Sequence, residues 1–283
     1  MKKILFSIVL LLIILNSLHV RAQGSDPVEG LKVMTAQDEK DNILALVAAS
    51  YVFQDWQKEG NSPRGYNIGA VLYDVQGDSI IGLNRNSIYQ KKDKTQHAEI
   101  GLMQGYFQGL FCSTPQATLK GLQIVTTLEP CMMCSGMMIF LEVDTVKYVQ
   151  ADPEYGKNIE RLAQDWMDAK GHVHPANDRC MSIKSVSLEG KCYLSAFLDK
   201  GYKKYKKSDS DRNMTGYLQT RKAHKIYKSA DLLLRKWQVI YPENQKLLDH
   251  ARKVLNLPAP AIVKSHAAEA NYLLFRELWD TIK

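Results

Sequence analysis

Two short segments constrain this 283-residue chain more than anything else in it: Thr95-Gln96-His97-Ala98-Glu99 and Thr127-Leu128-Glu129-Pro130-Cys131-Met132-Met133-Cys134. The β-branched run over 122–128 reads as a strand and 131–142 as a helix, so the Pro-Cys-x-x-Cys stands at a strand-to-helix junction. Cys131 and Cys134, three apart in a first helical turn, project from one face. A helix start also favours their thiolate forms. His97, opening the preceding helix, completes a Cys₂His set for one zinc per chain with a fourth position open, which separates a catalytic zinc from a closed structural one. A CxxC alone would suit a redox pair equally well. Such a pair has no use for a His-x-Glu triplet opening the helix before it.

The pattern around these segments predicts a layered α/β fold. Helical spacing runs over 38–58, with Asp38, Glu39 and Asp41 near its positive end. Two apolar runs, 67–73 and 79–83, flank Gln76-Gly77-Asp78 and read as a hairpin. A polar loop over 85–95 precedes a helix over 96–110, and a further strand covers 145–149. An irregular stretch over 152–178 holds a helix at 158–168; a strand over 181–188 and a helix over 191–207 follow. Helices alternating with strands imply a sheet, mixed because of the first hairpin. Ser208-Asp209-Ser210-Asp211 reads as a linker. Beyond it, helical patterns over 216–237, 242–255 and 262–281 make an α-helical appendage able to be absent without loss of the preceding fold.

The N-terminus carries Lys2 and Lys3, an apolar run over 4–15, and Val20-Arg21-Ala22, which is the pattern of a signal peptide cleaved after Ala22. An uncleaved anchor is the competing reading, but the run is shorter than the ~20 residues that span a bilayer. The domain layout is therefore a leader over 1–22, a catalytic domain over 30–208 and a helical extension over 209–283, exported to the periplasm or beyond and free of the membrane. Losing Lys2, Lys3 and Arg21 takes the net charge from +7 to +4, too mild to argue for nucleic acid by itself. Cys112, Cys180 and Cys192 remain outside the metal pattern. Cys180 and Cys192 flank an expected strand and suit a disulfide or two buried thiols equally. His172-Val173-His174 alternates like a metal pair but reads as loop without acidic partners. Met132, Met133, Met137 and Met138 read as adaptable core.

His-x-Glu followed by Pro-Cys-x-x-Cys is the signature of zinc nucleobase deaminases. With Ile68-Gly69-Ala70-Val71, Gly82-Leu83-Asn84-Arg85 and Asp152-Pro153-Glu154-Tyr155-Gly156, the chain resembles the cytidine and deoxycytidylate deaminase superfamily, and within it the tRNA adenosine deaminase branch. The resemblance covers 38–156 well, 181–207 loosely and 209–283 not at all. It implies a cytidine deaminase-like three-layer α/β/α domain with a mixed central sheet. It also implies a zinc-activated water, Glu99 as the proton shuttle to a ring nitrogen and to the leaving ammonia, and base contacts from Asn84 and the Ala98 backbone. As a plain sequence feature Asn84 is a turn residue.

Lys200, Lys203, Lys204, Lys206 and Lys207 interleave with Tyr202 and Tyr205, which suits RNA or single-stranded nucleic acid as well as it suits a solvated helix end. Arg85, Lys91, Lys92 and Lys94 add to it. A leader argues instead for a free base or nucleoside outside the cytoplasm, and a third reading is a zinc-stabilised binding module without turnover. The expected partners are a nucleobase-bearing substrate and a second copy of the chain.

Overall fold

The computed structural model describes residues 34–176, 178–258 and 267–282. The expected leader, its cleavage point and the charge it carries lie outside the described residues.

Thr35 starts the first helix, α1 (Ala36–Phe53), with a capping box: its hydroxyl accepts from the Asp38 N–H while Asp38 accepts from the Thr35 N–H. Asp38 thus has the helix-start role the sequence predicts, although α1 ends earlier than 58. Glu39 and Asp41 do not sit at a solvated helix end, for both are buried. Residues 43–49 are all 0% exposed, so α1 has no solvent face and must be covered on both sides.

One cover is the sheet. Strands β1 (Gly69–Asp74) and β2 (Ser79–Arg85) form the expected antiparallel hairpin. After helix α2 (Ala98–Phe107), β3 (Leu122–Leu128) pairs antiparallel with β1. Helix α3 (Met132–Phe140) then leads to β4 (Thr145–Gln150), parallel to β3. A short α4 (Asn158–Leu162) precedes a separate ribbon of β5 (Trp166–Met167) and β6 (Val173–His174), where the pattern had suggested a longer helix. Residues 181 and 182 end a short helix, α5 (Asp178–Ser182), so the last strand, β7 (Lys184–Ser187), is shorter than predicted. It pairs parallel with β4, giving the order β2-β1-β3-β4-β7.

The mixed sheet is buried on both faces. Thr126 of β3 turns to the face that carries α2, where its hydroxyl meets Glu99, and Thr127 turns to the opposite face, against Tyr227. Helices α2 and α3 cover one face; α1 and α6 (Tyr193–Lys207) cover the other. This is the three-layer α/β/α arrangement.

The second cover of α1 is the C-terminal extension: α7 (Met214–Tyr217), α8 (Arg221–Lys236), a 3₁₀ turn (Pro242–Asn244), α9 (Gln245–Val254) and α10 (Ala267–Ile282). Helix α8 lies along α1 and places Tyr227, Leu233 and Leu234 in the same core, joined by Trp237, Leu247 and Leu248. Glu39 is the polar centre of this packing. Its carboxylate accepts from Trp237 Nε1 (3.2 Å), the Ile240 and Tyr241 N–H groups (2.6 and 3.0 Å) and Asn244 Nδ2 (2.9 Å). The Phe275 ring of α10 packs at a tilt against Tyr193 and Phe197 of α6, with centroids 4.2 and 4.8 Å apart. The composition changes near residue 208, but the packing does not break there. A unit ending at 208 would strip α1 of its outer layer.

All five cysteines are free thiols, so Cys180 and Cys192 do not pair, and burial pushes the Cys192 thiol up to about 12. Among the described residues no helix is long and apolar enough to cross a membrane.

Candidate active site

His97 and Cys131 occupy equivalent places in the fold: each is the N-cap of a helix, α2 and α3, on the same face of the sheet. Cys134 follows one turn into α3 and is fully buried. The two sulfurs are 3.7 Å apart, and each lies 3.6 Å from His97 Nδ1. Tetrahedral zinc with Zn–S of about 2.3 Å and Zn–N of about 2.0–2.1 Å needs S···S of ~3.8 Å and S···N of ~3.6 Å. The triangle of donor atoms therefore has the dimensions zinc requires, and the soft thiolate–imidazole set is the chemistry zinc selects. These three form the one His/Cys/Asp/Glu group among the described residues that is close enough to hold a metal ion.

The three donor groups shift one another's protonation. Hydrogen bonds from the Cys134 thiol and from His97 outweigh burial and bring Cys131 down to about 4. Donation to Cys131 and burial together push Cys134 up, and contact with Cys131 raises His97. A dication among them would reverse the cost of ionising Cys134.

Glu99, 3% exposed, is in the first turn of α2. The Thr126 hydroxyl donates to its Oε1 at 2.7 Å, and its Oε2 is 3.5 Å from Cys134 Sγ. One oxygen is thus anchored to the sheet while the other faces the metal triangle. Burial is the main cause that raises this carboxyl above the usual range. Ala98 is the first residue of α2, where the N–H has no partner within the helix.

A cavity of about 410 Å³ opens over these groups. Its lining includes His97, Glu99 and Cys131, but not Asn84. The Asn84 amide instead donates to the Ala98 carbonyl at 3.2 Å, and a Cβ at Gly101 would collide with it, so Asn84 is a packing residue between β2 and α2. The asparagine on the cavity is Asn86, two residues on, which the sequence reading missed. Its N–H donates to the Ile68 carbonyl, its carbonyl accepts from Arg64, and its Oδ1 accepts from the Tyr66 N–H at 3.0 Å. Asn86 is 0% exposed, and its Nδ2 has no partner. Residues 84 and 86 lie on the same side of an extended chain, so alternation could not tell them apart. The end of β2 at Arg85, which frees Asn86 from the ladder, was the usable signal.

The Asp152–Gly156 segment walls the cavity opposite. Glu129, buried after β3, accepts from the Asp152 and Lys157 N–H groups at 2.9 and 2.8 Å. Asp152 in turn accepts from the N–H groups of Glu154 and Tyr155. Four carboxylates, Glu99, Glu129, Asp152 and Glu154, line the cavity together with Tyr66 and Tyr155, and no Lys or Arg does. Asn213, Met214 and Thr215 complete the wall, so the extension contributes to the site as well as to the core.

The other sequence candidates lie elsewhere. His172 and His174 do have an acidic partner: Asp168 Oδ2 is 3.0 Å from His172 Nδ1 and 3.4 Å from His174 Nε2, pinning the β5–β6 ribbon. Arg85 stacks on Tyr51 at 3.7 Å, and Lys91 reaches Gln96 at 2.9 Å, so both are committed to internal contacts. Met138 is core, whereas Met132 is exposed.

A three-layer α/β/α fold with a thiolate–imidazole triangle and a buried glutamic acid beside it defines a zinc-binding domain of the nucleobase deaminase class. The family profile described as the cytidine and deoxycytidylate deaminase zinc-binding region matches residues 48–150. The chain is 32% identical over 133 residues to a tRNA-specific adenosine deaminase of Buchnera aphidicola subsp. Baizongia pistaciae, covering 46% of this chain and 74% of that protein. It is 35% identical over 89 residues to a tRNA(Ile)-lysidine synthase of Deinococcus radiodurans, a match to 31% of this chain that spans only 14% of that protein's length. A solved structure from a study of A-to-I editing by tRNA:A34 deaminases at the wobble position of transfer RNA shares 27% identity and covers 50% of this chain and 93% of that one, with a TM-score of 0.34. The chain belongs to the cytidine and deoxycytidylate deaminase superfamily, in its tRNA adenosine deaminase branch.

Proposed function

We propose that the chain is a hydrolytic deaminase that binds one zinc through His97, Cys131 and Cys134 and acts on adenosine in RNA. The observation that carries the deaminase chemistry is the buried Glu99 carboxyl, with one oxygen held by Thr126 and the other 3.5 Å from Cys134 Sγ. Zinc held by this triangle supplies Lewis-acid activation of water near neutral pH. Glu99 Oε2 takes a proton from the attacking water and delivers it to the ring nitrogen beside the reacting carbon; it then takes the proton of the newly formed C–OH and passes it to the amino group, which leaves as ammonia as the C=O forms. The Asn86 amide, whose Nδ2 has no partner among the described residues, donates to a base acceptor.

The assignment of RNA draws on the tRNA-specific relative and on the cavity's charge. Among the described residues no Lys or Arg lines the cavity, which suits an uncharged base and leaves a phosphate without a side-chain partner there, so a substrate's phosphates find theirs elsewhere. The same lining suits a free base or nucleoside, which is the second reading. Inosine formation in adenosine-containing RNA, set against ammonia release from free adenosine, guanine and cytosine, decides between them. Ammonia from free bases alone would remove RNA from the proposal.

Two further results are expected. Elemental analysis should find one zinc per chain, lost when Cys131→Ala and Cys134→Ala are combined; full retention would refute the ligand set. Asn86→Ala should raise KM about ten-fold, the effect of one hydrogen bond lost in a dry site. Asn84→Ala should leave KM alone and lower Tm. The opposite pattern would return the base contact to Asn84.

A further inference from the structure

A second cavity, of about 500 Å³, lies between the C-terminal half of α6 and the start of α8. Lys204, Arg221, Lys222 and Lys225 line it, and no carboxylate does. Crowding of this positive charge is evident at Lys222, whose pKa is lowered by burial first and then by Lys204, Lys225 and Lys200. Such a concentration of like charge is costly unless an anion occupies it.

The floor carries an unmet hydrogen bond as well. Tyr217 is 1% exposed and lines the cavity, and its hydroxyl has no partner among the described residues. A Cβ at Gly201 would collide with that hydroxyl, so glycine there is what admits the phenol. A buried O–H left unsatisfied costs about 1–3 kcal/mol. An acceptor oxygen of a bound ligand would remove that cost.

The two cavities share one wall. Helix α7 presents Met214 and Thr215 to the catalytic cavity and Tyr217 to the basic one. Thr215 and Tyr217 are two residues apart, a separation of at most ~7 Å along the chain. Tyr205, another lining residue of the basic cavity, reaches to 2.9 Å from where a Cβ on Gly216 would stand. Among the described residues, one cavity therefore has no Lys or Arg in its lining, while its neighbour across a single helical turn has four.

We infer that the basic cavity between α6 and α8 binds a backbone phosphate of an RNA strand whose target base enters the catalytic cavity. This rests on the deaminase reading for the second half of the statement only. Lys204, Arg221 and Lys225 neutralise the phosphate, and the Tyr217 hydroxyl donates to one of its oxygens. The continuing cations of α6 lead the strand onward along the helix.

The test uses the full-length, zinc-loaded chain and a labelled oligouridylate of about ten nucleotides, within the range of single-strand sites. Fluorescence anisotropy is recorded across salt concentrations. Lys204→Gln with Lys225→Gln should lower the slope of log K against log salt by ~0.7, the value for one phosphate contact on a single strand. Tyr217→Phe should weaken binding about ten-fold, as expected for a lost hydrogen bond to a charged acceptor, with Tm unchanged or raised. A purely structural Tyr217 would show no affinity change.

Wild-type affinity and slope in the lysine variant would overturn the inference. So would absence of oligomer binding by the wild type, or inorganic pyrophosphate binding as tightly as the oligomer. Ammonia release from a base or nucleoside without oligomer binding would sink this site while leaving the deaminase reading intact. Lysine-dependent oligomer binding without ammonia from any substrate would do the reverse.

Discussion

Glu99→Gln is expected to retain zinc and Tm while kcat falls by ~10²–10⁴, the contribution of a positioned general acid–base. Glutamine fills the same volume in a site only 3% exposed and still accepts the Thr126 hydroxyl. Neither packing nor the metal triangle should therefore change. What is lost is the ability to take up and pass on a proton at Oε2, which each turnover requires twice: from water to the ring nitrogen, and from the new C–OH to the leaving amine. Glu99→Ala is a less clean test, because it leaves a void beside Cys134 and abandons the Thr126 hydroxyl. Elemental analysis, thermal melting and single-turnover ammonia release on the same preparation separate the possibilities. Wild-type turnover in Glu99→Gln would refute the mechanism, and loss of zinc would show that Glu99 supports the ligands instead of the chemistry.

Truncation after Lys207 is expected to abolish cooperative unfolding. The residues removed include Tyr227, Leu233, Leu234, Trp237, Leu247 and Leu248, each no more than 2% exposed against α1 and its neighbours. At ~1.5–3 kcal/mol for each large apolar side chain, the lost burial matches or exceeds the ~5–15 kcal/mol by which domains are ordinarily stable. Trp237, Ile240, Tyr241 and Asn244, which donate to Glu39, also go, leaving a carboxylate on a bared apolar helix face. A subtler probe of the same packing is Glu39→Gln in the full chain. Its amide turns two N–H groups toward donors, and a loss of ~2–4 kcal/mol is expected from the unmet bonds. Calorimetry on both proteins tests the claim; a cooperative transition in the truncated protein near that of the full chain would show that residues 209–283 are dispensable.

Legibility in the sequence follows the range of the interaction. The metal triangle was readable because its parts are local: a Cys-x-x-Cys within one helical turn, and a His-x-Glu opening another helix. Strands β1 to β4 were readable for the same reason, being runs of β-branched residues broken by turn residues. The β5–β6 ribbon was not, since two-residue strands carry no period, and the carboxylate that pairs His172 with His174 lies on the opposite strand end. Choosing Asn86 over Asn84 needed the end of β2 and the position of α2, neither of which alternation encodes.

Amino-acid order alone determined which atoms form the metal triangle, that a glutamate stands next to them, and that a mixed sheet carries both, because helical turns and β-periods are set by neighbours in sequence. Only the tertiary structure decided where the described helices beyond residue 208 pack. Glu39 and its donors are about two hundred positions apart, from 198 to 205 residues, and beside α7, whose Thr215 lines the catalytic cavity, Asn67 donates to the Leu218 carbonyl 151 positions on. Contacts of that span leave no local pattern: a buried glutamate with distant partners and a solvated one at a helix start are written with the same residue.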